Sequence, residues 1–251
     1  MTNRFQGQVA IVTGGASGIG LAIAERIARE GGQVTLFDVN PSTLRDSSTR
    51  LQAEGLSVEG MTVDISDGQA VENAIAAVVE RSGQLDILVN SAGIVGKTAT
   101  NILDYDLETF ENVLKVNLVG TFLVTKAAIR HMLPRNYGRI LLIASMAGKD
   151  GNPGMAGYTA AKAGVIGLVK GVGKEYAQTG ITVNGLAPAV IATPMNADTA
   201  PEQLKYMVER IPMQRLGTVE EVAALACWIV SKEASFNTGF VFDMSGGRAT
   251  Y

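Results

Sequence analysis

The chain has 251 residues, 47% of them hydrophobic and 18% charged, with a formal net charge of −3. That apolar content excludes an intrinsically disordered chain, and the length suits one α/β domain of the larger kind, able to bury a substantial core. The slight acidity gives no electrostatic case for nucleic acid, no run approaches the 18 apolar residues of a membrane span, and one cysteine (Cys227) with one histidine (His131) supplies neither a disulfide nor a His/Cys metal site.

Val9 to Thr13 is a short β-branched run, expected to form a buried parallel strand. Gly14-Gly15-Ala16-Ser17-Gly18-Ile19-Gly20 follows at once, and a helix with apolar residues at Leu21, Ala24, Ile27 and Ala28 comes next. Glycines between strand and helix allow a tight turn, let a pyrophosphate approach the backbone, and leave the helix N-terminus to receive it. A second strand, 33–38, ends in Asp38, 24 residues beyond Gly14. A carboxylate there accepts hydrogen bonds from the adenosine ribose hydroxyls and repels a 2′-phosphate, and no Arg or Lys follows in Val39-Asn40-Pro41. The cofactor expected is therefore NAD rather than NADP.

Strands are further expected near 57–63, 85–90, 138–144, 181–187 and 239–243, and helices near 18–31, 41–54, 68–82, 106–133, 157–179 and 218–231. Repeated strand–helix alternation implies a doubly wound, Rossmann-type parallel sheet of about seven strands with helices on both faces, in one domain spanning 1–251. The region of about 190–213 interrupts the alternation with three prolines (Pro194, Pro201 and Pro212) and an amphipathic stretch (Leu204, Met207, Val208, Ile211), expected to be a substrate loop or lid at the carboxyl end of the sheet.

Tyr158 and Lys162 are one helical turn apart, with Ser145 thirteen positions upstream. A phenol titrates at about 10, and an adjacent ammonium is expected to lower that value and make the hydroxyl usable for proton transfer. Asn117 stands among Val113, Leu114, Val116 and Leu118, where a buried amide needs partners.

Together these residues resemble the short-chain dehydrogenase/reductase family, from about Gln8 to Gly247. The glycine turn is similar to Thr13–Gly20 and the family's adenine-contacting acid to Asp64, followed by Ile65. Its Asn-Asn-Ala-Gly segment appears as Asn90-Ser91-Ala92-Gly93, and its Pro-Gly segment as Pro188-Ala189, two departures that remove no chemical group. Ala189 lacks the freedom of glycine at positive φ, so an altered loop is expected there. The resemblance implies catalysis by Asn117, Ser145, Tyr158 and Lys162, with Asn117 anchoring a water in a proton relay. It implies NAD binding by Gly14, Ser17, Gly18, Ile19, Gly20, Asp38, Asp64, Ile65, Asn90, Ala92, Gly93, Tyr158, Lys162, Pro188, Ile191 and Thr193. Ser145, Met146, Asn152, Met155, Tyr158, Val190 and Met195 are expected around a small alcohol or ketone substrate, with no metal.

The expected activity is NAD-dependent oxidation of a sugar, sugar acid or polyol. A 3-oxoacyl-thioester reductase is the alternative, with a non-catalytic NAD-binding sensor as the reading from another class. Gly164, Gly167, Gly171 and Gly173 weaken the helix that carries Tyr158, and the resemblance places that helix at a subunit interface, so a homo-oligomer, a tetramer, is expected. The tail Arg248–Tyr251 is expected to reach a neighbouring subunit's site. The lone cysteine and the polar first residues point to a reducing cytoplasm.

Overall fold

The computed structural model describes residues 3–193 and 201–249. Seven parallel strands form one sheet in the order β3-β2-β1-β4-β5-β6-β7. They are β1 (Val9–Thr13), β2 (Gln33–Asp38), β3 (Val58–Thr62), β4 (Ile87–Asn90), β5 (Gly138–Ile143), β6 (Ile181–Pro188) and β7 (Val241–Met244). The order reverses between β1 and β4, both of which start from the middle of the sheet, so a crevice opens above Thr13 and Asn90 at their carboxyl ends.

The alternation of side chains along each strand splits the core in two. Val9 and Ile11 of β1 face one apolar cluster with Ile140 and Leu142 of β5. Ala10 and Val12 face the other with Leu141 and Ile143. That is why these strands read as unbroken apolar runs: both faces are covered. α3 (Gly68–Ser82), α5 (Gly120–Met132) and α7 (Ala156–Glu175) cover the first face. α1 (Gly18–Arg29), α2 (Pro41–Ala53) and α9 (Val219–Ile229) cover the second.

Three departures from the expected elements bear on the site. The helix expected over 106–133 is α4 (Leu107–Leu114), a π-helical segment Lys115–Val119, and α5. A short α6 (Met146–Asp150) follows β5, where no helix was expected. β7 begins at Val241, two residues late, because the Gly239 N–H donates to Val183 O and the Phe240 N–H to Asn184 Oδ1. In the expected substrate-loop region, α8 (Pro201–Glu209) is followed by Ile211, which is buried. The span Leu107–Arg135 is long and apolar enough to cross a membrane by length and composition, but half of its apolar window is buried inside the protein and it packs as a core helix.

Candidate active site

The turn after β1 is dictated by close approach. A Cβ on Gly14, whose φ is +61°, would lie 2.9 Å from the backbone of Ala92, and one on Gly20 would lie 2.1 Å from the Gly14 carbonyl oxygen. Ser17 is the N-cap of α1 yet makes no side-chain cap bond, and the first turn holds no acid. The N–H groups of Gly18, Ile19 and Gly20 thus begin a helix whose positive end is left to a ligand anion. Thr193 stands over this turn, its side chain 3.7 Å from where a Gly18 Cβ would be.

Asp38 ends β2 and is held in place by the backbone. Its Oδ2 accepts from Ala16 N at 3.2 Å and its Oδ1 from Asn40 N at 3.0 Å. The carboxylate is thereby fixed beside the glycine turn, where it suits ribose hydroxyls. Asp64 is exposed and accepts from Ser66 N at 2.8 Å, while Ile65 is buried against Gly120. A bare helix end, a turn with no room for side chains and a fixed carboxylate together fit a dinucleotide of the NAD type.

The crevice floor is a buried hydrogen-bond chain. Ala92 N donates to Thr13 Oγ1 (3.2 Å), which donates to Asn90 Oδ1 (2.6 Å). Asn90 Nδ2 donates to Thr121 Oγ1 (2.8 Å), which donates to Asn117 O (2.6 Å). Asn117 lies in the π segment, fully buried, and clamps Ile94 from both sides: its Oδ1 accepts from Ile94 N and its Nδ2 donates to Ile94 O, each at 2.8 Å. The buried amide therefore finds its partners in the loop after β4. Thr13 and Thr121 complete this chain and were not singled out as site residues. The Asn117/Thr121 spacing of four was the signal for the second of them.

Ser145 caps α6, accepting from Ala147 N at 3.1 Å, and its side chain lies close enough to the Tyr158 phenol to bear on its titration. Lys162 lies one turn along α7, nearly inaccessible, with Nζ donating to Ile143 O at 2.7 Å and 5.7 Å from the centre of the Tyr158 ring. Burial alone brings its pKa down to about 8. The expected effect on Tyr158 is reversed in the protein: burial pushes the phenol above its usual value, and Ser145 opposes this only in part. The ammonium is directed at the β5 carbonyl rather than the phenol oxygen, so desolvation wins.

The remaining expected residues divide. Asn152 and Met155 lie in the loop between α6 and α7, with Asn152 Nδ2 3.7 Å from Met155 Sδ. Asn152 also lines a surface cavity of about 400 Å³ with Thr100, Asp150, Gly154 and Thr159. Met146, the first residue of α6, is buried and belongs to the core cluster on the first face of the sheet. Val190 is partly buried and its carbonyl accepts from Gly217 N at 3.1 Å, while Ile191 is buried and bridges Gly217. Pro188 pairs with Met244 at the end of β6. Ala189 is not at positive φ, so the alanine is unstrained there, and its side chain packs on the core. Met195 lies outside the described residues. Arg248 and Asp150 were not foreseen near the site: Arg248 Nη2 donates to Asn152 Oδ1 at 3.0 Å and its Nε lies 3.2 Å from Asp150 Oδ2. Arg248 makes these contacts within its own chain; Thr250 and Tyr251, the end of the tail expected to reach a neighbouring subunit, lie outside the described residues.

Comparison with known proteins follows this geometry. The family model described as enoyl-(acyl carrier protein) reductase matches residues 14–249. A 2-dehydro-3-deoxy-L-rhamnonate dehydrogenase (NAD(+)) of Sphingomonas sp. (strain SKA58) is 44% identical, covering 99% of this chain and 98% of its own. The 3-oxoacyl-(acyl-carrier-protein) reductase FabG of Escherichia coli (strain K12) is 36% identical over 97% of this chain and 98% of its own. The crystal structure of an NAD+-bound xylitol dehydrogenase superposes with a TM-score of 0.92 at 32% identity, over 97% of this chain and all of that one. The glycine turn, the buried Asn117 and the Ser145–Tyr158–Lys162 cluster thus sit in a chain that belongs to the short-chain dehydrogenase/reductase family, oxidoreductases acting on CH–OH groups.

Proposed function

We propose that the protein oxidises a secondary alcohol of a sugar acid or polyol, using NAD. The observation that carries the reading is the Tyr158 phenol, near Ser145 and one turn from buried Lys162, in the same chain as the bare N-terminus of α1 and the fixed Asp38 carboxylate. The 44% identical relative acts, by its name, on a sugar acid with NAD(+), and the xylitol dehydrogenase on a polyol. The FabG relatives carry the thioester alternative at lower identity, and the Asp38 carboxylate opposes the 2′-phosphate of NADP.

The roles follow from chemistry. NAD supplies the hydride acceptor when bound. Tyr158 takes the hydroxyl proton of the alcohol, or returns it to the ketone in the reverse direction. Ser145 donates to the substrate oxygen and stabilises its developing charge. Lys162 would hold the nicotinamide ribose and assist the phenol once NAD is bound. Asn117, through Ile94, fixes the loop that faces them. Glycine-rich α7 supports a homotetramer in this reading, since Gly167 and Gly171 are exposed with nothing within 4 Å of an added Cβ. A single free cysteine suits a reducing cytoplasm.

The test is cofactor reduction followed by absorbance, with sugar acids, polyols, simple secondary alcohols and 3-hydroxyacyl thioesters, each offered NAD and NADP. NAD-dependent turnover of a sugar acid or polyol supports the reading. Turnover confined to thioesters, or a preference for NADP, overturns it.

A further inference from the structure

The stretch between Ser145 and Tyr158 is tied to β7 and to the segment after it by two ion pairs. Lys149 Nζ contacts both oxygens of Asp243 at 2.8 and 2.9 Å, and Arg248 pairs with Asp150 while donating to Asn152 Oδ1. Both cations are largely covered, each side chain being 14% exposed.

The contact with Arg248 fixes more than the position of Asn152. A guanidinium has five donors and no acceptor, so the amide atom facing it has to be the oxygen. The nitrogen then points the other way, where its partner among the described residues is the Met155 thioether at 3.7 Å, a weak acceptor. The backbone holds the loop as well, through Asn152 N donating to Thr159 Oγ1 at 3.3 Å, with Thr159 next to Tyr158 in α7. Asn152 lines the cavity of about 400 Å³ beside the catalytic helix.

Resting on the reading of this site as one for a sugar acid or polyol, we propose that Arg248 is a positioning residue which locks the Asn152 amide as a hydrogen-bond donor to an acceptor oxygen of the substrate. A carboxylate or carbonyl oxygen, remote from the hydroxyl that is oxidised, meets this requirement. An ammonium does not, because it would face N–H groups. Asp150 supports the lock by pairing with the neighbouring Nε of the same guanidinium and neutralising its charge.

The experiment measures kcat and KM for the substrate found in the panel above, and KM for NAD, in the R248M, R248K, N152A and R248M/N152A variants of the full chain. R248M is expected to raise the substrate KM by about tenfold, leaving kcat and the KM for NAD within about threefold. R248K, which still donates, restores part of the loss. Because Arg248 acts through Asn152, the double variant is no worse than N152A alone. An unchanged KM in R248M, multiplying effects in the double variant, absence of rescue by lysine, or an equal fall in kcat and NAD affinity overturns the proposal. The comparison is read on whichever substrate turns over. A thioester-only enzyme therefore defeats the sugar-acid reading, whereas a flat KM on a sugar acid defeats only the role of Arg248.

Discussion

Lys162 carries a cost that its chemistry requires. Its folded pKa is about 8 against an ordinary 10.5, a gap worth about 3 kcal/mol. Below about pH 8 both folded and unfolded chains hold the proton, so the full penalty of a buried charge opposes folding. Between about 8 and 10.5 the folded lysine has released its proton and the unfolded one has not, so stability rises with pH across that window. Replacing Lys162 with Met is therefore expected to raise stability at pH 7 by about 1–3 kcal/mol, after allowing for the lost hydrogen bond to Ile143. Urea midpoints should show the gain narrowing towards pH 10, and a variant less stable at pH 7 would contradict the account. Tyr158 gives the complementary prediction. With its phenol held above the usual value, alcohol oxidation should climb about tenfold per pH unit from neutrality, while ketone reduction, which uses the protonated phenol, stays flat. A flat oxidation profile would exclude Tyr158 as the group that sets it. Tyr158→Phe should lower kcat by at least about a hundredfold and leave NAD affinity intact; a protein that only sensed NAD would lose nothing. At this scale spacing marked Tyr158 and Lys162 as a pair, and the family resemblance supplied the roles of Asn117 and Ser145. The direction of the Tyr158 shift was not legible, because spacing says that Lys162 is one turn away but not that its ammonium is spent on the β5 carbonyl.

Elements with a long, regular signal were read close to their true ends, and the failures share a cause. The π segment Lys115–Val119 shifts the register by one residue inside an otherwise apolar helix, which apolar periodicity does not record; the polar Asn117 in its midst was the trace it left. α6 has five residues, too few for a periodic pattern, and only its cap, Ser145, marks it. The link from Arg248 to Asn152 joins positions 96 residues apart and leaves no local signature. The glycines of two elements make opposite predictions. Gly20→Ala would drive a Cβ to within 2.1 Å of a carbonyl oxygen, so it should cost over about 2 kcal/mol and abolish NAD binding. Gly167→Ala meets nothing within 4 Å in the chain itself and should stabilise α7 by about 0.5–1 kcal/mol if that face is in water.

For the whole molecule, the same Gly167→Ala substitution tests assembly. Val119 and Phe122 on the neighbouring helix are each nearly half exposed, and Ile102, Leu103 and Leu107 are more so. If a second copy covers the α5 and α7 faces, an added methyl at Gly167 lowers the oligomer's affinity instead of stabilising the helix. Light scattering at micromolar concentration should give a tetramer for the parent chain and smaller species for the variant. A monomeric parent would refute the assembly. The parallel sheet and its two-sided core were legible because strands covered on both faces must be apolar throughout; how copies meet was not, because the same small residues serve close packing within the chain at Gly164 and Gly173.

The central place of β1 also bears on how the protein is made. When translation has delivered β1, β2 and β3, β1 is paired on one side only, and its other edge is a row of unpaired backbone groups on a mostly apolar strand awaiting β4, whose last residue is Asn90. From Thr62 to Asn90, at about 5–20 residues per second, a ribosome needs roughly 1.5–6 s. For that interval the nascent chain presents an open, sticky strand edge of the kind that recruits foreign chains. The buried bond from Thr13 to Asn90 then does a second service: it is among the first contacts to tell a correct β4 from an intruder, since an apolar strand end would leave the Thr13 hydroxyl without a partner.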